Sequence, residues 1–511
     1  VIDSEGQQPT GPTATGAPKS RLPGASQVRE GSRVVIIGGG PGGYEAALTA
    51  IQLGARCTLI EDKGVGGSAV LTDVVPSKTL IASAEWLYSV ESADQLGIVA
   101  TGEPWRASFS AINARIRDLA ARQSNDIRAR LLTVGVTVLD GRGAIASTLG
   151  RDGTRVVRAE LADGTVRDLE AEVVLIATGA TPRELPDAKP DGERILNWTQ
   201  MYGLTELPRH LVVVGSGVTG AEFAGAYNAL GVPVTLVSSR DRVLPNEDPD
   251  GAAVIERVFG RRGMTILSRS RAQTVRRSED GVVVTLDDGR EVEASHCLLA
   301  VGSIPNSSGI GLELAGVALE DSGHIKVDRV SRTTAFRVYA AGDITGSLPL
   351  ASVAAMQGRT AMNHALGDYV EPLDLTGVAA NIFTAPEIAS VGVSQREVDE
   401  GLDALVTIIP LARNPRAKMQ GMTEGFVKLF ADASTRVILG GVVVAPSASE
   451  HILPIALAVS QRMTADEVAS VFTVYPSLSG SITEAARQLR GSIGADHIRN
   501  VMARTSVTLD Q

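Results

Sequence analysis

Two stretches of this chain are variants of one another. Val34–Glu61 reads VVIIGGGPGGYEAALTAIQLGARCTLIE, and Leu211–Ser238 reads LVVVGSGVTGAEFAGAYNALGVPVTLVS. Both run apolar strand, glycine turn, helix, Leu-Gly and second strand at one spacing. A glycine turn between a strand and a helix lets backbone N–H groups approach a pyrophosphate seated at the helix N-terminus. One such unit holds one dinucleotide, so a chain with two of them is expected to hold two.

The two units differ at the end of the second strand. The first turn is Gly38-x-Gly40-x-x-Gly43, and Glu61 ends its second strand, where a carboxylate accepts hydrogen bonds from a ribose diol. The second is Gly215-x-Gly217-x-x-Gly220, with Ser238 at the register of Glu61 and Ser239, Arg240 and Arg242 close behind. Losing the acid and gaining guanidinium groups suits the 2′-phosphate of NADPH. A glycine as third residue, Gly220, leans back toward NADH. Use of both is expected, with NADPH preferred.

The rest of the chain alternates strand-like runs (Val34–Ile37, Thr58–Ile60, Val173–Ala177, Leu211–Val214, Val234–Val237, Cys297–Val301, Val338–Ala341) with helix-like stretches such as Tyr44–Leu53, Ser108–Val134 and Ala221–Leu230. That pattern predicts an α/β chain with parallel sheets covered on both faces. Residues 1–31, rich in Gly, Pro, Ser and Thr, read as a disordered tail. From about residue 373 the texture becomes that of a separate α+β domain. Net charge is −10 and no basic stripe with interleaved aromatics occurs, which argues against nucleic acid as a partner. No apolar run reaches the ~18 residues a membrane span needs, and no secretory h-region opens the chain, so a cytoplasmic enzyme is the expectation. The two cysteines, Cys57 and Cys297, sit in apolar strand-like runs and read as buried, inert thiols. No metal site is expected.

Further motifs carry a resemblance. Ala177-Thr178-Gly179, its echo Ala300-Val301-Gly302, Tyr339-Ala340-Ala341-Gly342-Asp343, and Thr384-Ala385-Pro386-Glu387 through Val391-Gly392 resemble segments of the pyridine nucleotide–disulfide oxidoreductases. The likeness runs from about Arg33 to Leu489. It implies the glutathione-reductase architecture: two Rossmann-like FAD- and NAD(P)-binding domains plus a C-terminal α+β dimerisation domain. The implied divisions are FAD-binding 32–185 and 309–372, NAD(P)-binding 186–308 and interface 373–490; residues 491–511 lack a strong pattern and read as a frayed tail. The resemblance places FAD against Gly38, Gly40, Gly43, Glu61, Asp62, Gly67, Lys78, Ala177, Thr178, Gly179, Gly342, Asp343, Leu350 and Ala351. It places the nicotinamide nucleotide against Gly215, Gly217, Gly220, Glu222, Ser238, Ser239, Arg240, Arg242, Val301 and Gly302.

The departures say more. Family members read Gly-Gly-Thr-Cys-x-x-x-x-Cys-x-Pro-Ser-Lys beside the flavin, whereas Gly66–Lys78 reads GGSAVLTDVVPSK, with Ala69 and Val74 at the cysteine positions. No thiolate can form there, so disulfide exchange is excluded. The family's C-terminal His-Pro is Tyr475-Pro476, and its partner glutamate is Gly480. A phenol, ordinarily ionising near about 10, is a poor base at neutral pH but can donate a proton. Lys78 and Glu222 match the family's flavin-side lysine and its carboxylate partner. Lys78, Glu222 and Tyr475 are therefore the expected catalytic groups, with Tyr475 supplied by the second subunit of a homodimer. The slot left by the missing sulfurs, flanked by Thr72 and Asp73, suits a planar quinone. GVGGSAVLTDVVPSK and VYPSLSGSITEAAR are similar to actinobacterial NAD(P)H:quinone reductases, and that activity is the leading expectation. A soluble pyridine nucleotide transhydrogenase and a non-catalytic FAD-binding adaptor stay open beside it.

Overall fold

The structure is a computed structural model that describes residues 31–490 apart from 100, 104 and 368. The expected tails, 1–31 and 491–511, lie outside the described residues except for Gly31.

Val34–Ile37 is a run of β-branched residues, all buried. Such a run suits a central strand covered on both faces. It sits inside a seven-stranded sheet ordered Val338–Ala340, Val173–Ile176, Arg33–Ile37, Arg56–Glu61, Thr137–Ile145, Arg155–Leu161 and Val166–Ala171. The first five strands pair in parallel, and the last two add an antiparallel meander. Sequence reading missed the meander because its polar alternation, RVVRAEL and VRDLEA, belongs to strands with one solvated face. The register aligns Ile37 with both Ile60 and Ile176, and Ile176 with Ala340. Gly38, Glu61, Ala177 and Ala341 therefore gather at one carboxyl edge, where the strand order switches from one side of the central strand to the other. Such a switch point is where open α/β sheets bind ligands.

The second repeat builds a five-stranded parallel sheet ordered Thr265–Leu267, Val234–Val237, Leu211–Val214, His296–Leu299 and Ile195–Asn197. Val214 lies between Val237 and Leu299, so Gly215, Ser238 and Ala300 share an edge. The C-terminal region forms a five-stranded antiparallel sheet ordered Ala380–Ile382, Glu387–Gly392, Ile438–Ala445, Phe426–Asp432 and Ala404–Pro410. Its Gly480–Gln488 helix comes directly after the Pro476–Gly480 segment, as the sequence suggests.

One apolar core runs through all three regions. It joins Leu80 and Phe109 to Phe223, Tyr227 and Phe259, and on to Ile388, Phe430 and Val444. Each such side chain contributes roughly 1.5–3 kcal/mol on burial. A charged tie crosses the same boundary. Lys428, 0% exposed on the C-terminal sheet, holds Asp248 at 2.7 Å and Asp250 at 2.6 Å. Asp248 also caps the Pro249–Arg261 helix through the Asp250 and Gly251 amides. Among the described residues no helix is long and apolar enough to cross a membrane, and no group of side chains could hold a metal ion.

Candidate functional site

The glycines of the first turn divide into two kinds. Gly38 has φ +101°, and a Cβ there would lie 2.3 Å from the Ala177 carbonyl oxygen. A Cβ on Gly43 would lie 1.9 Å from the Gly38 oxygen. Both are glycine because the strand, turn and helix touch. A Cβ on Gly40 would meet nothing within 4 Å, and this is the open space a pyrophosphate needs at the N-terminus of the Pro41–Gln52 helix. Glu61, buried, accepts the Gly39 amide at 2.6 Å on Oε2 and the Lys63 and Gly64 amides at 2.7 and 3.3 Å on Oε1. Lone-pair capacity remains on Oε2 for a ribose hydroxyl. Burial raises the Glu61 pKa against those amides, which lower it. The surrounding FAD candidates converge on the same edge. Thr178 exchanges hydrogen bonds with Asn306 at 3.0 and 2.8 Å, and Gly179 turns with φ +67°. Gly342 donates to the buried Gln357 at 2.7 Å. Asp343 is next in the chain, its pKa raised by burial and lowered by His324. Leu350 and Ala351 open the Ala351–Ala365 helix, and a Cβ on Gly67 would press on the Gly40 Cα at 2.8 Å. Asp62, next to Glu61, pairs through Oδ2 with Arg142 at 3.2 Å.

The second turn repeats the construction. A Cβ on Gly220 would fall 1.8 Å from the Gly215 oxygen, while one on Gly217 would meet nothing within 4 Å. Ser238 is fully buried and pairs with Ser216 at 2.7 Å. The same register position thus closes the loop in both units, by a carboxylate in the first and a hydroxyl in the second. Ser239 and Arg240 are exposed beyond it. Arg242 folds back, its Nη2 donating to the Pro245 carbonyl at 3.4 Å. Arg269, exposed, donates its amide to the Arg240 carbonyl at 2.7 Å. Sequence reading missed it, because only the pairing of Thr265–Leu267 with Val234–Val237 brings it there. Val301 and Gly302 lie on the loop after His296–Leu299, where Gly302 accepts the Arg183 amide at 2.9 Å.

Between the two units stands an ion pair. Lys78, on the Val74–Glu91 helix, reaches Glu222, on the Val218–Ala229 helix, at 2.8 Å. Glu222 is 3% exposed, and its second oxygen accepts the Phe383 amide at 2.9 Å. The Phe383 ring lies 4.9 Å from Lys78 Nζ. Phe383 was not foreseen; its one signal was its place just before the Thr384–Glu387 motif. The pair holds the Lys78 Nζ at a fixed place between the two units. Ala69 is half-buried and Val74 is 37% exposed at the family's cysteine positions. Cys57 and Cys297 are buried on sheet strands, and burial pushes the Cys57 thiol up to about 12 and raises that of Cys297. Neither can serve as a thiolate here.

Tyr475 is not joined to this pair within the chain. It is 82% exposed, in a run with Val471, Phe472 and Val474 that also stands clear of the protein.

Two glycine turns of the dinucleotide-binding type, joined by a partly buried cation–carboxylate pair with no thiol at hand, have the make-up of an oxidoreductase of the two-nucleotide kind. The chain belongs to the pyridine nucleotide-disulphide oxidoreductase family, whose signature matches residues 32–358 and whose dimerisation domain matches residues 378–486. It is 55% identical to an NAD(P)H dehydrogenase (quinone) of Mycobacterium tuberculosis, over 90% of this chain and 94% of that one. It is 32% identical to a dihydrolipoyl dehydrogenase of Zymomonas mobilis, over 88% and 96% of the two chains. The crystal structure of LpdA from M. tuberculosis superposes with a TM-score of 0.86 at 55% identity, covering 90% of this chain and all of that one.

Proposed function

We propose that the protein is an FAD-dependent NAD(P)H:quinone oxidoreductase. The observation that carries this reading is the Lys78–Glu222 pair, kept at 2.8 Å beside cysteine positions filled by Ala69 and Val74. The name of the M. tuberculosis relative points the same way. FAD would lie along the first turn, held by Gly38, Gly40, Gly43, Glu61, Gly67, Thr178 and Asp343 across residues 32–185 and 309–372. When bound, it supplies a ring that accepts hydride from NAD(P)H and passes it to an acceptor. The nicotinamide nucleotide would lie on residues 186–308. Lys78 places a fixed positive charge where negative charge develops during hydride transfer, and Glu222 holds it in position. The 373–490 region would join two subunits, and the exposed Tyr475 of one would complete the site of the other.

Arg240 is exposed at the end of the second unit, which suits a 2′-phosphate. Arg240→Ala is expected to weaken NADPH binding on the order of tenfold and to leave NADH within about twofold. Equal losses in titrations with both nucleotides would remove that role.

An anaerobic stopped-flow experiment tests the activity. NADPH should bleach bound flavin, and menadione should restore its colour at a rate that supports turnover. Lys78→Met should slow the bleaching on the order of a hundredfold. Hydride exchange between NADPH and an NAD analogue without menadione turnover would favour a transhydrogenase. Flavin that NADPH leaves oxidised would favour an adaptor.

A further inference from the structure

Reducing a quinone to a hydroquinone takes two electrons and two protons, one of which travels as hydride. The second proton must come from a group beside the acceptor. Lys78 is committed to Glu222 at 2.8 Å, and in this family position the usual histidine is a tyrosine that is 82% exposed in the single chain. Asp73 is a different case. It stands immediately before Val74, inside the sulfur-free stretch, at the N-cap of the Val74–Glu91 helix. An N-cap aspartate ordinarily accepts an amide of the first turn, yet this one makes no side-chain cap bond. The third helical residue is Pro76, which has no N–H to offer. The carboxyl is free of the helix, and among the described residues no hydrogen bond or ion pair holds it.

The charges around Asp73 decide its state. Lys78 on its own helix, Glu222 on the Val218–Ala229 helix, Asp343 after the Val338–Ala340 strand and Tyr202 all face it. One cation serves two carboxylates, Asp73 and Glu222, and it binds Glu222 directly. A second negative charge at Asp73 would be desolvated and left without a counter-ion of its own, so the carboxyl holds its proton to higher pH than an ordinary aspartate does. We propose that Asp73 is the acid that delivers the second proton to the reduced acceptor. The Asp73 O–H bond breaks, an O–H bond forms on the quinone oxygen that hydride transfer has left negative, and solvent returns a proton to the carboxylate. The electron pair comes from NAD(P)H. The inference rests on the quinone reading above.

The energetics agree with this geometry. Burial pushes Asp73 up to about 6, with Lys78 pulling it down and Glu222 and Asp343 pushing it up. An acid must be protonated to act, so the acceptor step should slow as pH rises through about 6.

The test uses the flavin-loaded full chain and two readouts. In resting wild type, the flavin absorbance titrated from about pH 5 to 8 should shift with a midpoint near 6, and Asp73→Asn should abolish the shift. In stopped flow, Asp73→Asn should slow the menadione step on the order of a hundredfold more than the NADPH step and flatten its pH profile. Asp73→Glu should keep the donor and move the midpoint, which covers a poorly folding Asn variant. A quinone-active wild type whose Asp73→Asn form keeps both rate and profile overturns the proposal. A wild type that shows the absorbance shift but reduces no quinone sinks the activity while leaving the Asp73 proton in place.

Discussion

Glu85 lies two turns beyond Lys78 on the same helix, facing Glu387 of the C-terminal sheet and Arg262 at the end of the Pro249–Arg261 helix. Burial and then Glu387 push it up to about 7, and Arg262 opposes them. Between its ordinary 4.5 and that value the folded chain binds more protons here than the unfolded chain does. Stability contributed at this position is therefore lost as pH rises through that window. Glu85→Gln is expected to flatten the fall in guanidinium midpoint between about pH 5 and 8. Identical slopes in wild type and variant would show that Glu85 titrates normally. The same reasoning applies to Asp73, raised by burial and by the nearby carboxylates while Lys78 is bound directly to Glu222.

At the scale of elements, the two glycine turns make opposite demands on substitution. Gly43→Ala puts a Cβ against the Gly38 oxygen and should unfold or misfold the first unit. Gly40→Ala puts a Cβ in open space with φ −66°, a conformation any residue adopts. It should leave the apoprotein as stable as wild type and still weaken FAD binding at least tenfold, on the order of 1.4 kcal/mol. Calorimetry of apo- and flavin-loaded protein checks both. Unchanged FAD affinity in Gly40→Ala would move the pyrophosphate elsewhere. These turns were legible in the sequence because glycine, strand and helix signals are local and were written twice. The Lys78–Glu222 contact was legible only through the family resemblance, since a separation of 144 residues carries no local signal. The exposed meander, Arg269 and Phe383 were not legible, because each depends on which strands lie side by side. The close crossing of the Pro41–Gln52 and Ala351–Ala365 helices was equally hidden: a Cβ on Gly358 would sit 2.1 Å from the Gly42 oxygen.

Across the whole molecule, Lys428 ties the nucleotide-sheet region to the C-terminal sheet. Its two aspartates differ, since the Asp248 side chain is 3% exposed and that of Asp250 is 53% exposed. Lys428→Met would leave Asp248 charged and enclosed, a loss of about 3–5 kcal/mol. Urea unfolding of the variant should show it, and a loss below about 1 kcal/mol would mean that water reaches Asp248. The first sheet has a different long-range dependence. Its strand Val173–Ile176 is flanked on one side by Val338–Ala340, which is translated only after the entire second sheet. At roughly 5–20 residues per second, a ribosome leaves that edge uncovered for about ten to thirty seconds. The nascent chain must shelter a half-built sheet for that time, and protease should cut it readily in chains stalled before residue 338. This enzyme would then depend on chaperones during synthesis more than its finished compactness suggests.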